Sequence, residues 1–265
     1  MGLVETEAIV LHTFKLAEAD KIAVCMTEKA GLVRGVARGA RRLKSKFGAS
    51  LEPFTLINLT YFEKEARELV TIKNTEILRS YFGAAESSEV VASMGYLVEL
   101  VKEFATPHLA DERLFRMLRA CVESLASTPH NAQAIFAYCE LWILRLTGFL
   151  PDSKVCGGCR GHLKDRISSG AYITPEGIVW CAECYRGGGR FLSEEVYELL
   201  SSIRVLRPAS WSEAYSETPA PGQQIASSIS RGLIKRVLEK DIRGNHQSFQ
   251  AIQPQRSADK QPVGE

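Results

Sequence analysis

The sequence predicts a multidomain protein of α and β structure. An N-terminal β-barrel is followed by a helical domain with an inserted four-cysteine module. Three observations carry this. Short runs rich in Val, Ile, Thr, Leu, Tyr and Phe fill residues 4–79. The apolar period changes from two to nearly four after residue 81. Two C-x-x-C pairs then interrupt the helical pattern. The expected divisions are a barrel over 1–80, a first helical part over 81–151, a cysteine module over 152–190, a second helical part over 191–243 and a disordered tail over 244–265.

The strand segments expected are 5–14, 21–28, 31–38, 54–62 and 68–73. Ala19-Asp20, Ala30-Gly31, the stretch from Gly39 to Pro53, and Lys64-Glu65 separate them as turns or connections. Five strands are too few for a full sandwich and suit a small closed barrel such as the OB-fold. Alternation along them is imperfect.

Helical faces follow. Val90, Met94, Leu97, Val98, Val101 and Phe104 form the first, and Leu114, Leu118, Cys121, Val122 and Leu125 the second. Ile135, Tyr138, Cys139, Trp142, Leu146 and Phe149 form the third, with Pro107, Pro129 and Pro151 as punctuation. The pattern resumes with Val196, Leu199, Leu200, Ile203 and Leu206, then with Ile225, Ile229, Leu233, Val237 and Leu238. These stretches are expected to form one bundle around the inserted module. The switch from strand to helix is placed at Ser80 to Gly83.

Composition narrows the function classes. The chain has 265 residues, 45% hydrophobic and 24% charged, so disorder over most of its length is excluded. No run of apolar residues is long enough to span a bilayer without a charge. Glu5 and Glu7 stand where an export signal would be basic and then apolar, so a non-exported, cytoplasmic chain is expected. The formal net charge is +2, which makes the distribution of charge more informative than its sum.

Seven cysteines, an odd number, fit a reduced compartment. Cys25, Cys121 and Cys139 stand alone in apolar patterns and read as core residues. Cys156-Gly-Gly-Cys159 and Cys181-Ala-Glu-Cys184 are separated by 21 residues. A two-residue spacer lets one tight turn deliver two thiolates to one ion. Pro175-Glu176-Gly177 reads as a hairpin turn that returns the second pair to the first. The expectation is one structural zinc ion on Cys156, Cys159, Cys181 and Cys184. All four positions are filled by protein, leaving none for a catalytic water. Local disulfides and a redox C-x-x-C are the alternatives. His162 reads as a surface residue, and Gly187-Gly188-Gly189 as a hinge.

Between Glu28 and Glu52 lie Lys29, Arg34, Arg38, Arg41, Arg42, Lys44 and Lys46, with no acid among them. Arg forks onto phosphate oxygens and Lys acts as a point charge. On a small barrel this makes a positive lip beside a strand surface, the footprint of a single-stranded nucleic acid. Arg34, Arg38, Arg41, Arg42, Lys44 and Lys46 are the candidate DNA-binding residues, with a solvated basic loop as the alternative. Phe14 and Phe47 are either stacking faces or core plugs. The sequence carries no P-loop, G-x-G-x-x-G, H-E-x-x-H or G-x-S-x-G, and no catalytic residue is assigned. A zinc-dependent nuclease or deaminase, and a sequence-selective regulator with a zinc ribbon, are the rival readings.

Thr6-Glu7-Ala8-Ile9-Val10-Leu11, Glu18-Ala19-Asp20-Lys21, Gly35-Val36-Ala37-Arg38-Gly39-Ala40-Arg41-Arg42 and Leu51-Glu52-Pro53-Phe54 resemble, in order and spacing, the N-terminal domain of the bacterial recombination and repair protein family RecO. Gly148-Phe149-Leu150-Pro151 ahead of Cys156 and Cys159 resembles that family's junction into its zinc module. The resemblance covers residues 3 to 240 in layout. It implies an OB-fold, a helical domain and a four-cysteine zinc module. It also implies a non-enzymatic, nucleoid-associated protein that binds single- and double-stranded DNA and anneals complementary strands. With RecR, and in some pathways RecF, such proteins help RecA displace single-strand-binding protein, whose acidic C-terminal tail they bind. A groove on the helical domain, rimmed by Arg113, Arg116 and Arg119, is the candidate for that tail. A solvated helix face is the alternative reading of this stripe.

Overall fold

The computed structural model describes residues 2–64, 68–81 and 88–239. The expected tail over 244–265, part of the switch at Ser80 to Gly83 and the side chain of Val90 lie outside the described residues.

Five strands close a barrel: β1 (Gly2–Leu16), β2 (Asp20–Thr27), β3 (Gly31–Ala37), β4 (Thr55–Glu63) and β5 (Val70–Ser80). Their order around the barrel is β1-β2-β3-β5-β4, that of an OB-fold. β1 is long because it serves two partners: residues 2–9 pair with β4 and residues 8–16 with β2, with an irregularity between Val10 and His12. Closure comes from a short parallel contact, Gly35 to Val70 and Val36 to Thr71. A Cβ on Gly35 would lie 2.6 Å from the Ile72 side chain, so only glycine lets β3 and β5 meet there.

The barrel is filled by Ala8, Val10, Cys25, Val33, Ile57, Leu59 and their neighbours, and a short 3-10 helix, Gly48–Leu51, adds Leu51. Ile9, Leu11, Val24, Met26, Leu32 and Leu56 point the other way and join the core of the helical domain. The run Ala8–Leu11 is therefore buried on both faces. This is the physical reason for the imperfect alternation: a strand packed on both sides reads as a continuous apolar run.

The helical domain comprises α1 (Ser88–Phe104), α2 (Glu112–Ser127), α3 (Ala132–Leu146), α4 (Glu194–Ser202), α5 (Pro208–Glu217) and α6 (Ala220–Leu238). α3 is central and packs against α1, α2, α5 and α6. Asp111 caps α2 by accepting from the Leu114 N–H at 2.9 Å, and Ser193 caps α4. Two expectations change. Phe149 is not on α3, which stops at Leu146; it is 57% exposed. Leu206 lies beyond α4, and an additional helix, α5, follows. α5 starts at Pro208 and buries Trp211 and Tyr215.

Barrel and helices are joined by more than apolar contact. Arg119 on α2 donates to Glu7 of β1 at 2.8 Å and to Glu123 at 3.2 Å, and the Tyr81 hydroxyl donates to Glu123 at 2.9 Å. The β2–β3 turn meets the segment after α1: Gly31 bridges Pro107, and the Leu32 carbonyl accepts from the His108 N–H. Gly31 has φ +59, and a Cβ there would sit 2.0 Å from the Leu109 carbonyl oxygen. Gly31→Ala should therefore lower the unfolding free energy by more than about 2 kcal/mol, read as a shifted denaturant midpoint.

Inside the helical domain Glu140 is 1% exposed and accepts from the Tyr96 and Ser230 hydroxyls. Burial outweighs those bonds and raises its carboxyl to about 7. The folded state thus binds this proton more tightly than the unfolded chain, and stability falls as pH rises from about 4.5 to about 7. Glu140→Gln should flatten that part of the stability profile, measured by urea unfolding at stepped pH.

Candidate nucleic-acid interface and candidate metal centre

The basic run lies at the end of β3 and in the connection to β4. Tight turns fold the connection back on the barrel: the Gly39 N–H donates to Asp20 Oδ1 at 2.8 Å, and the Arg41 N–H to the Ala19 carbonyl at 2.9 Å. The loop is thereby held against the β1–β2 turn.

Its six candidate cations differ. Arg34 points from β3 and pairs with Glu68 at 2.6 Å, an exposed pair that a polyanion can displace. The Arg41 guanidinium donates to the carbonyls of Ala17 and Glu18, both at 2.9 Å, which fixes its position without neutralising it. Lys46 reaches the Lys73 carbonyl and lies 5.2 Å from the centre of the Phe47 ring. Arg38, Arg42 and Lys44 are exposed and have no carboxylate partner among the described residues. They form the free positive edge of the barrel.

The aromatic residues divide. Phe47 is 3% exposed and plugs the barrel, whereas Phe14 is 44% exposed on β1 and edge-on to His12. Leu43, between Arg42 and Lys44, is fully exposed. Sequence reasoning passes over it because a leucine in a charged run looks like a buried spacer. The arginine stripe on α2 is not uniform either. Arg119 is taken up by Glu7 and Glu123 at the barrel junction, and Arg116 pairs with Glu112 at 3.5 Å. Arg113 is exposed.

The cysteine module is built on a three-stranded sheet, β6 (Ala171–Ile173), β7 (Val179–Cys181) and β8 (Arg190–Leu192), in the order β7-β6-β8. β6 and β7 are the arms of the expected hairpin; β8 is additional. The hairpin brings the two knuckles together, and the Gly157 N–H donates to the Val179 carbonyl at 2.8 Å. The Sγ atoms of Cys156, Cys159, Cys181 and Cys184 all lie within 4.8 Å of one another. A tetrahedron with metal–sulfur bonds of about 2.3 Å has edges of about 3.8 Å, so the donor set fits a single thiophilic ion with small adjustments.

The knuckles also prepare the sulfurs. The N–H groups of Cys181 and Gly158 donate to Cys156 Sγ at 3.3 and 3.4 Å. Burial opposes the thiolate, but these donors together with the Cys159 N–H outweigh it and bring the Cys156 thiol down to about 6. Arg166, paired with Glu183 at 2.5 Å, stands beside Cys159 and adds positive charge to the thiolate set. His162 is exposed and is not part of the sulfur cluster.

Comparison with known proteins places this architecture. The family model described as "Recombination protein O N terminal" matches residues 1–81, and "Recombination protein O C terminal" matches residues 86–246. The chain belongs to the RecO family. Similar proteins named "DNA repair protein RecO" include that of Koribacter versatilis, 29% identical over 242 residues, which span 91% of this chain and 94% of the relative. The protein of that name from Anaeromyxobacter sp. (strain K) is 30% identical over 224 residues, 83% of this chain and 85% of the relative. That from Bifidobacterium longum subsp. infantis is 35% identical over 164 residues, 60% of this chain and 66% of the relative. The matches cover both the barrel and the helical domain, as the resemblance over residues 3 to 240 implies. No helix among the described residues is long and apolar enough to cross a membrane.

Gly158 gives a direct test of the knuckle geometry. A Cβ there would lie 2.9 Å from Trp180 Cζ3 and 3.0 Å from Cys184 Cβ. Gly158→Ala should weaken metal binding by about tenfold, measured by competition with a chromophoric chelator.

Proposed function

We propose that this chain is a DNA repair and recombination mediator and not an enzyme. In this reading it binds single- and double-stranded DNA, anneals complementary strands and acts with RecR to help RecA load onto DNA coated with single-strand-binding protein. RecF and RecA are indirect partners, and the acidic tail of single-strand-binding protein is a direct one. The observation that carries the reading is the loop of Arg38, Arg41, Arg42 and Lys44, held against the barrel with its charges facing outward. Family membership supports the rest.

Annealing needs no bond making. Two phosphate chains repel, and a basic surface lowers that repulsion as counterions are released. Contacts to phosphate position a strand without reading its bases, so the protein should be nearly indifferent to sequence. That distinguishes it from a zinc-ribbon regulator. The sulfur cluster supports a structural zinc: four thiols fill a tetrahedron and leave no position for water, as a nuclease or deaminase would require. The ion would hold a module too small to fold on its own core.

With four loop cations on phosphates, the log–log salt slope of single-strand binding should be about −3. Arg42→Glu with Lys44→Glu should reduce affinity at low salt severalfold and make the slope shallower; unchanged affinity would exclude the loop as the interface. Annealing of complementary oligonucleotides should proceed without ATP. X-ray absorption of the purified chain should show zinc with four sulfur neighbours, and a nitrogen, an oxygen or a lower sulfur count would overturn the structural-ion reading. For the partner tail, Arg113 and Arg116 are the residues to reverse, since Arg119 is engaged at the barrel junction.

A further inference from the structure

The sheet of the cysteine module has two unlike faces. Opposed residues across its strands fix them: Tyr172 faces Trp180 on one side and Phe191 on the other. The alternate positions Ala171, Ile173, Val179, Cys181 and Leu192 are buried and belong to the core shared with the helices. That face is taken up by folding except at Arg190, which is exposed and donates to the Ser228 hydroxyl. The other carries Trp180, Tyr172 and Phe191; Trp180 is half-buried against the core and over Gly157 and Gly158 of the first knuckle, which leaves Tyr172 and Phe191 as the rings of its open part.

A further ring joins these two. Tyr185, just after the second knuckle, stacks on Tyr172 with ring centres 3.7 Å apart and planes 3° from parallel. Its hydroxyl is tied to Gly189 as both donor and acceptor, so the ring is held in place. Phe191 meets Tyr172 edge-on at 5.4 Å and is 47% exposed. A half-buried sheet normally places polar residues on its outer face.

The charges of the module favour one class of partner. Two of its four acids are paired, Glu176 with Arg236 and Glu183 with Arg166, while Asp152 and Asp165 are exposed with no cation partner among the described residues. Arg160, Lys164 and Arg186 are exposed and have no carboxylate partner among the described residues. Arg186 donates only to backbone carbonyls, which hold the guanidinium next to Tyr185 without neutralising it.

We propose that the ledge of Tyr172, Tyr185 and Phe191, with Arg186 beside it, forms a second contact for single-stranded nucleic acid, separate from the barrel loop. Rings on a sheet face accept two or three bases in other modules, and flanking cations track the backbone. The proposal rests on the reading of the chain as a strand-annealing protein and supplies what one basic loop lacks, a place for the second strand. The rings stack bases of either strand without regard to sequence, as annealing requires.

The test uses the full-length, metal-loaded chain and an oligo-dT carrying 5-iododeoxyuridine. Irradiation followed by mass spectrometry should yield adducts at Tyr185 or Phe191 besides those on the barrel. Tyr185→Ser with Phe191→Ser should slow annealing at least about fivefold with metal content unchanged. Arg186→Glu, on the surface beside Tyr185, should do the same without removing a ring. Adducts confined to barrel peptides, or both variants annealing at the rate of the unaltered chain, would overturn the proposal. Arg42→Glu with Lys44→Glu tests the barrel loop separately. If that variant binds normally while the module adducts persist, the loop reading fails and the ledge stands.

Discussion

The strand β1 is the element on which the rest of the structure depends, because it buries both of its faces. Ala8 and Val10 fill the barrel, while Ile9 and Leu11 pack into the helical domain. Burying such side chains is worth about 1.5–3 kcal/mol each, so a shared strand couples two cores that would otherwise fold separately. The Arg119–Glu7 pair, at 2.8 Å and partly exposed, adds a polar contact to that interdigitated apolar packing. The basic loop that follows β3 is held against the β1–β2 turn.

The placement of charge follows from the same arrangement. With a formal net charge of only +2, the chain cannot attract a polyanion by overall field. It concentrates cations instead by spending its acids elsewhere. Glu7 and Glu123 hold the domain junction, Glu63 lies 3.2 Å from His108 at the same junction, and Glu183 and Glu176 hold the metal module. Among the cations left without a carboxylate partner are Arg38, Arg42 and Lys44 in the loop after β3. Arg41 shows how fixed such a cation can be: its bonds to two carbonyls restrain the side chain while its charge stays available.

Legibility in the sequence varied with the range of the interaction that decided each feature. The cysteine knuckles were fully readable because a two-residue spacer and a hairpin are local geometry. The barrel was readable in strand number but not in face assignment, since the second buried face of β1 depends on helices more than eighty residues away. α5 escaped because its sequence mixes Ser, Ala and Glu around only two large apolar residues, Trp211 and Tyr215, whose burial is decided by contacts with other helices. The arginine stripe on α2 had correct periodicity, yet Arg119 lies against Glu7, a pairing across 112 positions that no local pattern reveals. In the basic run, the type of each residue was visible, whereas its freedom was not: Arg34 pairs with Glu68, and Lys46 is turned to a backbone carbonyl.

A protein that brings two like-charged strands together must hold each weakly and without preference. Tight or sequence-selective contacts would trap the strands before they pair. Exposed cations meet that requirement because each phosphate contact is screened by salt and exchanges readily. Ring stacking meets it because every base has a π-face. The cysteine module would suit this division of labour in the proposed role. Its inner face is committed to the helical core, while on its outer face Phe191 is exposed. In the proposed role, two such surfaces on one chain would raise the local concentration of one strand near the other. Linking them by a packed core, and not by a flexible tether, makes that concentration independent of tether length.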